Sequence, residues 1–194
     1  RNTKYAVINT GSINWTVARA HAAAASAADS ENDHYMATVT SSDEQAEIDR
    51  QLGSAADNTA LWLGGSDQTN EGDWRWAEGP EGQENSGLGQ QFWQGRGTGA
   101  SGYPINGAYE NWNDPIEPNN SGNEDALQIL STDGEWNDLS LTDTRPTGYL
   151  RESDPNNLRV YDDASGGFFE LAKISFKRFL PSTTIDLTSM ANAK

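Results

Sequence analysis

The sequence predicts an α+β domain with antiparallel sheets, on three observations. Two helical patterns stand close together near the N-terminus, at 14–32 and 41–52. Short apolar strand patterns follow at 59–67, 73–79, 125–131, 134–141 and 147–153. Between them, Pro80 to Asn113 is rich in Gly, Gln, Asn and Ser with no regular period. Helices gathered at one end of the chain and strands at the other mark the α+β class.

Taken in order, KYAVINT (4–10) is short, apolar and β-branched, and reads as a strand. In the next segment Trp15, Ala18, Ala22 and Ala25 fall on one helical stripe, with Asn14 as its N-cap. HYMATVTS (34–41) reads as a strand. Ser41 with Glu44 three residues later forms a capping box for a second helix. Ala46, Ile48 and Leu52 are expected on the buried side of that helix, and Gly53 at its end. TALWLGGSD (59–67) is an apolar strand, and DWRWAEG (73–79) alternates Trp74 and Trp76 onto one face. The 34-residue stretch that follows is too long for a plain connection, and its Phe92, Trp93, Tyr103, Tyr109 and Trp112 predict an ordered excursion. DALQILS and GEWNDLSL are strands joined by a turn at Thr132-Asp133-Gly134, and TGYLRES closes the set.

After Asp154 the texture changes: DPNN reads as a turn, DDASGG as a loop, and FFELAKISFKRFL as apolar with interleaved charge. We take residues 1–153 as one domain and 154–194 as an extension, either added strands or a linker to a further module. The chain starts at Arg1 rather than Met and reads as a fragment of something longer, with no signal peptide in it.

With 194 residues, seven Trp, six Tyr and five Phe, the chain has the length and aromatics for a packed core. Its formal charge of −16 argues against nucleic acid and anionic membrane surfaces, both of which need clustered Lys and Arg. There is no cysteine, which excludes disulfides, thiolate metal sites and Cys nucleophiles. Two histidines leave little room for a zinc site, and no apolar run is long enough to span a membrane. His21 and His34 read as structural, neither placed beside a Ser–Asp arrangement, and no G-x-S-x-G elbow is present.

The informative stretch is EPNNSGNEDALQILSTDGEWND, residues 117–138. Calcium takes six to eight oxygens from carboxylates, amides, backbone carbonyls and water. Glu117, Asn119, Glu124, Asn137 and Asp138 are hard oxygen donors of mixed charge. Pro118 can hold Glu117 and Asn119 on one side of a loop, above all through a cis peptide, and the hairpin brings Asn137 and Asp138 alongside. Asn, Asp and Gly also suit turns without any metal.

The sequence resembles the C-type lectin-like domains over roughly residues 4 to 152. Trp15, HYMATVTS before SSDEQ, WLGG (62–65), SDQTNEGDWRW (66–76), NW (111–112), EPN (117–119), WND (136–138) and GYLRE appear in family order. The resemblance implies a double-loop fold: two helices, small antiparallel sheets and a long irregular loop carrying calcium. It implies a principal Ca2+ site of Glu117, Asn119, Glu124, Asn137 and Asp138, the last also through its backbone carbonyl. An accessory site would use Asp67, Glu71, Asn120, Glu124 and Asp125. Three departures stand out: the family's disulfides are absent, Asn120 replaces an Asp, and the gap to Glu124 is one residue short. The missing disulfides point to a bacterial or phage relative.

In the family, two vicinal sugar hydroxyls bind the calcium and also its Glu and Asn ligands, here Glu117, Asn119, Glu124 and Asn137. EPN goes with mannose, glucose, N-acetylglucosamine and fucose, and QPD with galactose. The expectation is therefore a calcium-dependent glycan-binding module rather than an enzyme. It would lie outside the cell or on the bacterial surface, as a ligand-binding domain of a large adhesin. The competing expectation is a protein- or peptide-binding module on the same fold. Paired carboxylates for glycoside hydrolysis are disfavoured, since these are interleaved with Asn at ligand spacing. Trp62, Trp74 and Trp136 are assigned to the core. Trp93, Tyr103, Tyr109 and Trp112 are assigned to a small core that orders the loop, with a sugar-stacking platform as the other reading.

Overall fold

The computed structural model describes residues 3–53 and 59–155, together with the backbone of the strands Arg159–Asp162 and Gly167–Glu170. The first unit, to Asn156, runs β1 (Lys4–Asn9), α1 (Trp15–Ala28), β2 (Asn32–Met36), α2 (Ser42–Leu52), β3 (Ala60–Ser66) and β4 (Asp73–Trp76). It continues through α3 (Gly79–Gly82), β5 (Gln91–Gln94), β6 (Tyr103–Pro104), β7 (Ala126–Leu130), β8 (Trp136–Leu139) and β9 (Gly148–Pro155). In the second unit, β10 (Arg159–Asp162) and β11 (Gly167–Glu170) form an antiparallel pair. That pair lies within the segment expected as an extension. The LAKISFKRFL part of that expectation, the DDASGG loop from 163 to 166, and positions 156 and 157 of the expected DPNN turn lie outside the described residues.

The chain's start and the end of its first unit meet: β1 pairs antiparallel with β9, Tyr5 opposite Glu152 and Asn9 opposite Gly148. β2 pairs with β9 on residues 151–155. β3 touches β9 in parallel at Trp62 and Tyr149, so the sheet is mixed. β3 then leads through β4 and β5 to β6, and separately pairs with β7, which carries β8.

Asn14 caps α1 as expected, its side chain accepting from Val17 N. Losing such a cap costs about 1 kcal/mol. Ala18 and Ala22 are fully buried, and their small side chains let α1 lie close on Trp62, Tyr149 and Met36. Trp15 Nε1 donates to Leu63 O at 2.9 Å and Trp62 Nε1 to Ile13 O at 2.8 Å, tying helix entry and strand to each other. On the opposite face of the sheet, Leu61, Leu63, Trp74, Trp76, Phe92, Trp93, Trp112 and Trp136 form the larger core. Gly64 belongs to the close packing: a Cβ there would lie 2.7 Å from Met36 O.

Two expectations need correction. The strand expected at 34–41 ends at Met36, because Thr38 gives its amide to the Glu152 carboxylate instead of a ladder. In α2 the buried side is Gln45, Ile48 and Leu52, with Ala46 exposed. Gln45 is buried because its amide is used in full: Nε2 donates to Asp49 Oδ1 and Gly134 O, and Oε1 accepts from Trp136 Nε1. The excursion from Pro80 to Asn113 is ordered, as its aromatics led us to expect, with β5 paired to β4 and β6 to β5.

Candidate functional site

The turn at Thr132-Asp133-Gly134 closes the β7–β8 hairpin, Gly134 taking φ +76°. The pairing sets Leu127 opposite Asp138 and Gln128 opposite Asn137. Alongside β8, Asn113 N donates to Trp136 O and Trp136 N to Asn111 O. The NW and WND segments thus lie side by side. From there the chain turns through Asp114–Pro115 and Glu117–Pro118, both cis. Pro118 O accepts from Gly97 N at 2.9 Å, fastening this turn to the long loop.

Asp138 joins loop to hairpin. It is fully buried, and its Oδ1 and Oδ2 accept the backbone amides of Asn119 and Asn120 at 3.0 and 2.7 Å. Asn119 Nδ2 points back to both oxygens of Glu117. Asn120 Oδ1 accepts from Glu124 N at 2.8 Å, and Glu124 Oε2 from Ser121 N at 2.9 Å. Asn137 Nδ2 lies 2.6 Å from Asp138 O. Asp138 is thus linked directly to Asn119, Asn120 and Asn137, and through them to Glu117 and Glu124.

The electrostatics are those of crowded anions. Burial first, then the adjacent Asp138 carboxylate and the Glu124 charge, push Glu117 up to about 7, against the pull of Asn119. Burial and Asp138 also raise Glu124, offset by Ser121 N and by Arg145. Among the described residues Arg145 is held by Asp143, donating from Nε at 3.1 and 2.8 Å. The sequence reading did not single out either residue.

Within the predicted accessory set, Asp67, Glu71 and Asp125 act on one another through charge, while Asn120 and Glu124 share the hydrogen bond already described. Asp67 is 2% exposed; Oδ2 accepts from Gly72 N, while Oδ1 is buried with no hydrogen-bond partner. Burial, then Glu71, Asp125 and Asp138, push Asp67 up to about 7 despite the Gly72 bond. Glu71 is raised by burial and Asp125, with Arg96 opposing. Asp125 accepts from Asn123 Nδ2, and its carbonyl from Ser66 Oγ at 2.6 Å.

These residues suit a hard divalent cation by two observations. Asp67 Oδ1 is a buried carboxyl oxygen without a hydrogen-bond partner among the described residues, which a cation would satisfy. The donors joined by Asp138 are oxygens of carboxylates, amides and one carbonyl, the set calcium prefers. Among the described residues no three carboxylates or imidazoles form a metal-holding cluster by themselves. The amide and carbonyl oxygens are therefore integral to any such centre. Asn119 and Asn137 now turn NH2 groups toward Glu117 and the Asp138 carbonyl; rotating each amide offers its oxygen instead.

Below the loop lies an aromatic floor. Trp74 meets Trp112 edge-on at 5.0 Å, and Trp136 packs against Trp76, Phe92, Tyr109 and Trp112. Trp93 and Trp112 are buried as expected of a loop core, whereas Tyr103 is 55% exposed and outside it.

His34 departs from expectation. Its Nδ1 lies 2.7 Å from Ser153 Oγ and its Nε2 2.9 Å from Asp29 Oδ2, so it does stand between a Ser and an Asp. The Ser lies 119 residues away in sequence, and only the β2–β9 register, His34 opposite Ser153, brings it near. His21 Nδ1 meets Tyr149 Oη at 3.0 Å.

A family profile described as Lectin C-type domain matches residues 19–147. Among curated proteins, halomucin of Haloquadratum walsbyi is 33% identical over 106 residues, 54% of this chain and 1% of halomucin. A perlucin-like protein of Mytilus galloprovincialis is 29% identical over 118 residues, 60% of this chain and 59% of that protein. The chain thus spans less than two thirds of both relatives. Among solved structures, the C-type lectin CEL-I from Cucumaria echinata has a TM-score of 0.56 at 24% identity, covering 79% of this chain and 91% of CEL-I. That likeness is one of fold. Among the described residues no helix is long and apolar enough to cross a membrane.

Proposed function

This chain belongs to the C-type lectin domain family, and on that footing we propose that it is a calcium-dependent glycan-binding module for sugars of the mannose, glucose, N-acetylglucosamine and fucose class. It is a binding domain, not an enzyme. The observation that carries the proposal is Asp138, whose two carboxylate oxygens hold the Asn119 and Asn120 amides. That bond joins the proline loop to the hairpin and gathers donors 19 and 18 residues apart in sequence.

Glu117, Asn119, Glu124, Asn137 and Asp138 would hold the principal Ca2+, with Asp67, Glu71, Asn120, Glu124 and Asp125 for an accessory ion. A bound Ca2+ supplies a hard positive centre that takes hydroxyl oxygens directly. The chain's own residues fix the direction of the remaining hydrogen bonds. Glu117 and Glu124 accept from sugar hydroxyls, and Asn119 and Asn137 donate to them. Alternating acceptor and donor in this way suits two vicinal hydroxyls, each of which can give one proton and take another. The EPN order at 117–119 supports the mannose-type class over galactose. A few such contacts amount to about −4 kcal/mol, a millimolar Kd. Adhesion then needs many copies. We place the module outside the cell, within a larger surface adhesin. Its match to a small fraction of halomucin is compatible with that setting.

Binding to a glycan array with and without a chelator tests this. Retention that is lost on chelation and competed by mannose or fucose, but not galactose, is the expected outcome. Chelator-insensitive binding to a protein or peptide would replace it with the protein-binding alternative.

A further inference from the structure

Away from the loop, polar groups from several segments converge beneath α3. Glu152, on β9, is 1% exposed. Its Oε1 lies 3.0 Å from Tyr35 Oη, and its Oε2 3.0 Å from Thr38 N and 3.1 Å from Thr38 Oγ1. Tyr35 Oη also lies 2.8 Å from Asp154 Oδ2, and Thr38 Oγ1 3.0 Å from Glu81 Oε2.

Each hydroxyl therefore has one proton and two carboxylate neighbours. With all three carboxylates ionised, each hydroxyl leaves one buried oxygen–oxygen contact without a proton, which is repulsive. A single proton on Glu152 Oε1 fills the Tyr35 contact and removes the negative charge from the Thr38 contact. It donates to Tyr35 Oη, which frees the Tyr35 proton for Asp154. Thr38 Oγ1 then donates to Glu81, and Thr38 N remains on Glu152 Oε2. A neutral acid sits at the centre, and each hydroxyl points outward to a carboxylate.

We propose that Glu152 is a neutral carboxylic acid in the folded protein, the central link of a hydrogen-bonded relay that fastens the start of the long loop to the sheet, and that its ionisation releases this fastening as pH rises. The fastening reaches the loop through Glu81 in α3, whose backbone carbonyl also accepts from Gln90 N at 2.9 Å. Gly79 of the same helix, at φ +62°, lies so close to the Tyr35 ring that a Cβ would be 2.5 Å from Cε2.

Among the described residues, the groups that face Glu152 are hydroxyls and carboxylates. β1 contributes Tyr5, opposite it in register and buried with an unpartnered hydroxyl. β2 contributes Tyr35, α3 Glu81 and β9 itself Asp154. From α2, Glu44 acts on Tyr5 beside it, and its own carboxylate accepts from Thr40. Arg151 and Ser153 alternate to the other face of β9, with Lys4 and His34 opposite Ser153. Burial foremost, then the Glu81 and Asp154 charges, raise Glu152 from 4.5 to about 8, against the pull of Thr38 N and Tyr35. Between those two values the folded chain keeps a proton that the unfolded chain has lost. Stability from this group is therefore full below 4.5 and declines as pH rises towards 8.

The test is Glu152→Gln, whose amide can donate to Tyr35 and accept from Thr38 N without ionising. Thermal midpoints of the two proteins are followed from pH 4.5 to 9, with chelator and with Ca2+. The expected result is near-equal midpoints at pH 4.5 and a growing advantage for the Gln variant up to pH 9. Amides of 79–91 in the native protein should lose hydrogen-exchange protection over the same range. Parallel curves, with the Gln variant less stable throughout, overturn the proposal. So does a native-to-variant gap at pH 9 that Ca2+ closes, since a cation rather than a proton would then neutralise Glu152. Independently of that variant's folding, the native protein at pH 6 should show an infrared carbonyl band of a protonated carboxylic acid. Tyr35→Phe, lacking the acceptor for its proton, should shift that band; an absent or unshifted band refutes the assignment.

Discussion

Asn119 turns its side-chain amide onto both carboxylate oxygens of Glu117, at 2.9 and 2.7 Å. In a site whose other neighbours push Glu117 towards neutrality, this is the contact that pulls the other way. It also fixes how Glu117 and Asn119 face the same space.

Asn119→Asp replaces that donor with a second anion. Without calcium the two carboxylates repel, and the thermal midpoint should fall. With calcium present the extra charge is tolerated, and most of the loss should return. Sugar affinity should not return, because the variant has no amide to donate to a hydroxyl; a loss of tenfold or more corresponds to about 1.4 kcal/mol. Calorimetry with mannose in saturating Ca2+ measures it, and unchanged affinity would count against the assigned role of Asn119.

Asp138→Asn tests the joint between loop and hairpin. The carboxylate accepts two backbone amides, and an Asn side chain can accept only through its one oxygen, leaving an NH2 against the other donor. Stranding a buried donor costs about 1–3 kcal/mol. Urea denaturation in chelator should show that loss, and calcium should restore less of it than for Asn119→Asp. A neutral effect would mean that the loop is held mainly by Gly97 and the aromatic floor.

How far the sequence reached can be judged at these residues. EPN and WND were legible as motifs because each is short: the proposed donors of each lie within three residues, and the hairpin between them is announced by Asp133-Gly134. Trp62, Trp74 and Trp136 were legible as core, and are buried to 1% exposure or less. Glu152 was not, since a carboxylate in GYLRES reads as a solvent-facing residue until Tyr35 and Thr38 are seen to cover it. The Asp29–His34–Ser153 chain was hidden for a related reason: a register, not a spacing, creates it. β5 and β6 escaped notice because QFWQ and YP are too short to show a period.

Calcium should stabilise the folded chain in proportion to occupancy, since the unfolded chain lacks the gathered oxygens. At a hundredfold excess over Kd the gain is about 2.7 kcal/mol. The thermal midpoint should rise on adding Ca2+ and return on chelation. Asp67→Asn separates the two proposed ions. Removing the charge of a carboxylate with one orphaned oxygen should raise stability in chelator. It should also reduce the part of the calcium-induced rise due to the accessory ion. A full-sized rise in that variant would remove Asp67 from the set.

Gln45→Leu reaches the site from α2. Gln45 Oε1 accepts from Trp136 Nε1 at 3.2 Å, and Nε2 donates to Gly134 O, so one side chain holds both the turn and the first residue of WND. Leu fills a similar volume but leaves the buried indole N–H without a partner, for about 1–3 kcal/mol. Gly134 O keeps Asn111 Nδ2 at 2.8 Å, so the turn itself should survive. The expected outcome is a lower denaturation midpoint with an unchanged slope. Trp136 is adjacent to Asn137 and Asp138, so calcium affinity should weaken as well, though less than in Asp138→Asn. If stability falls while calcium affinity stays the same, the aromatic floor alone sets the hairpin's position, and α2 has no part in shaping the site.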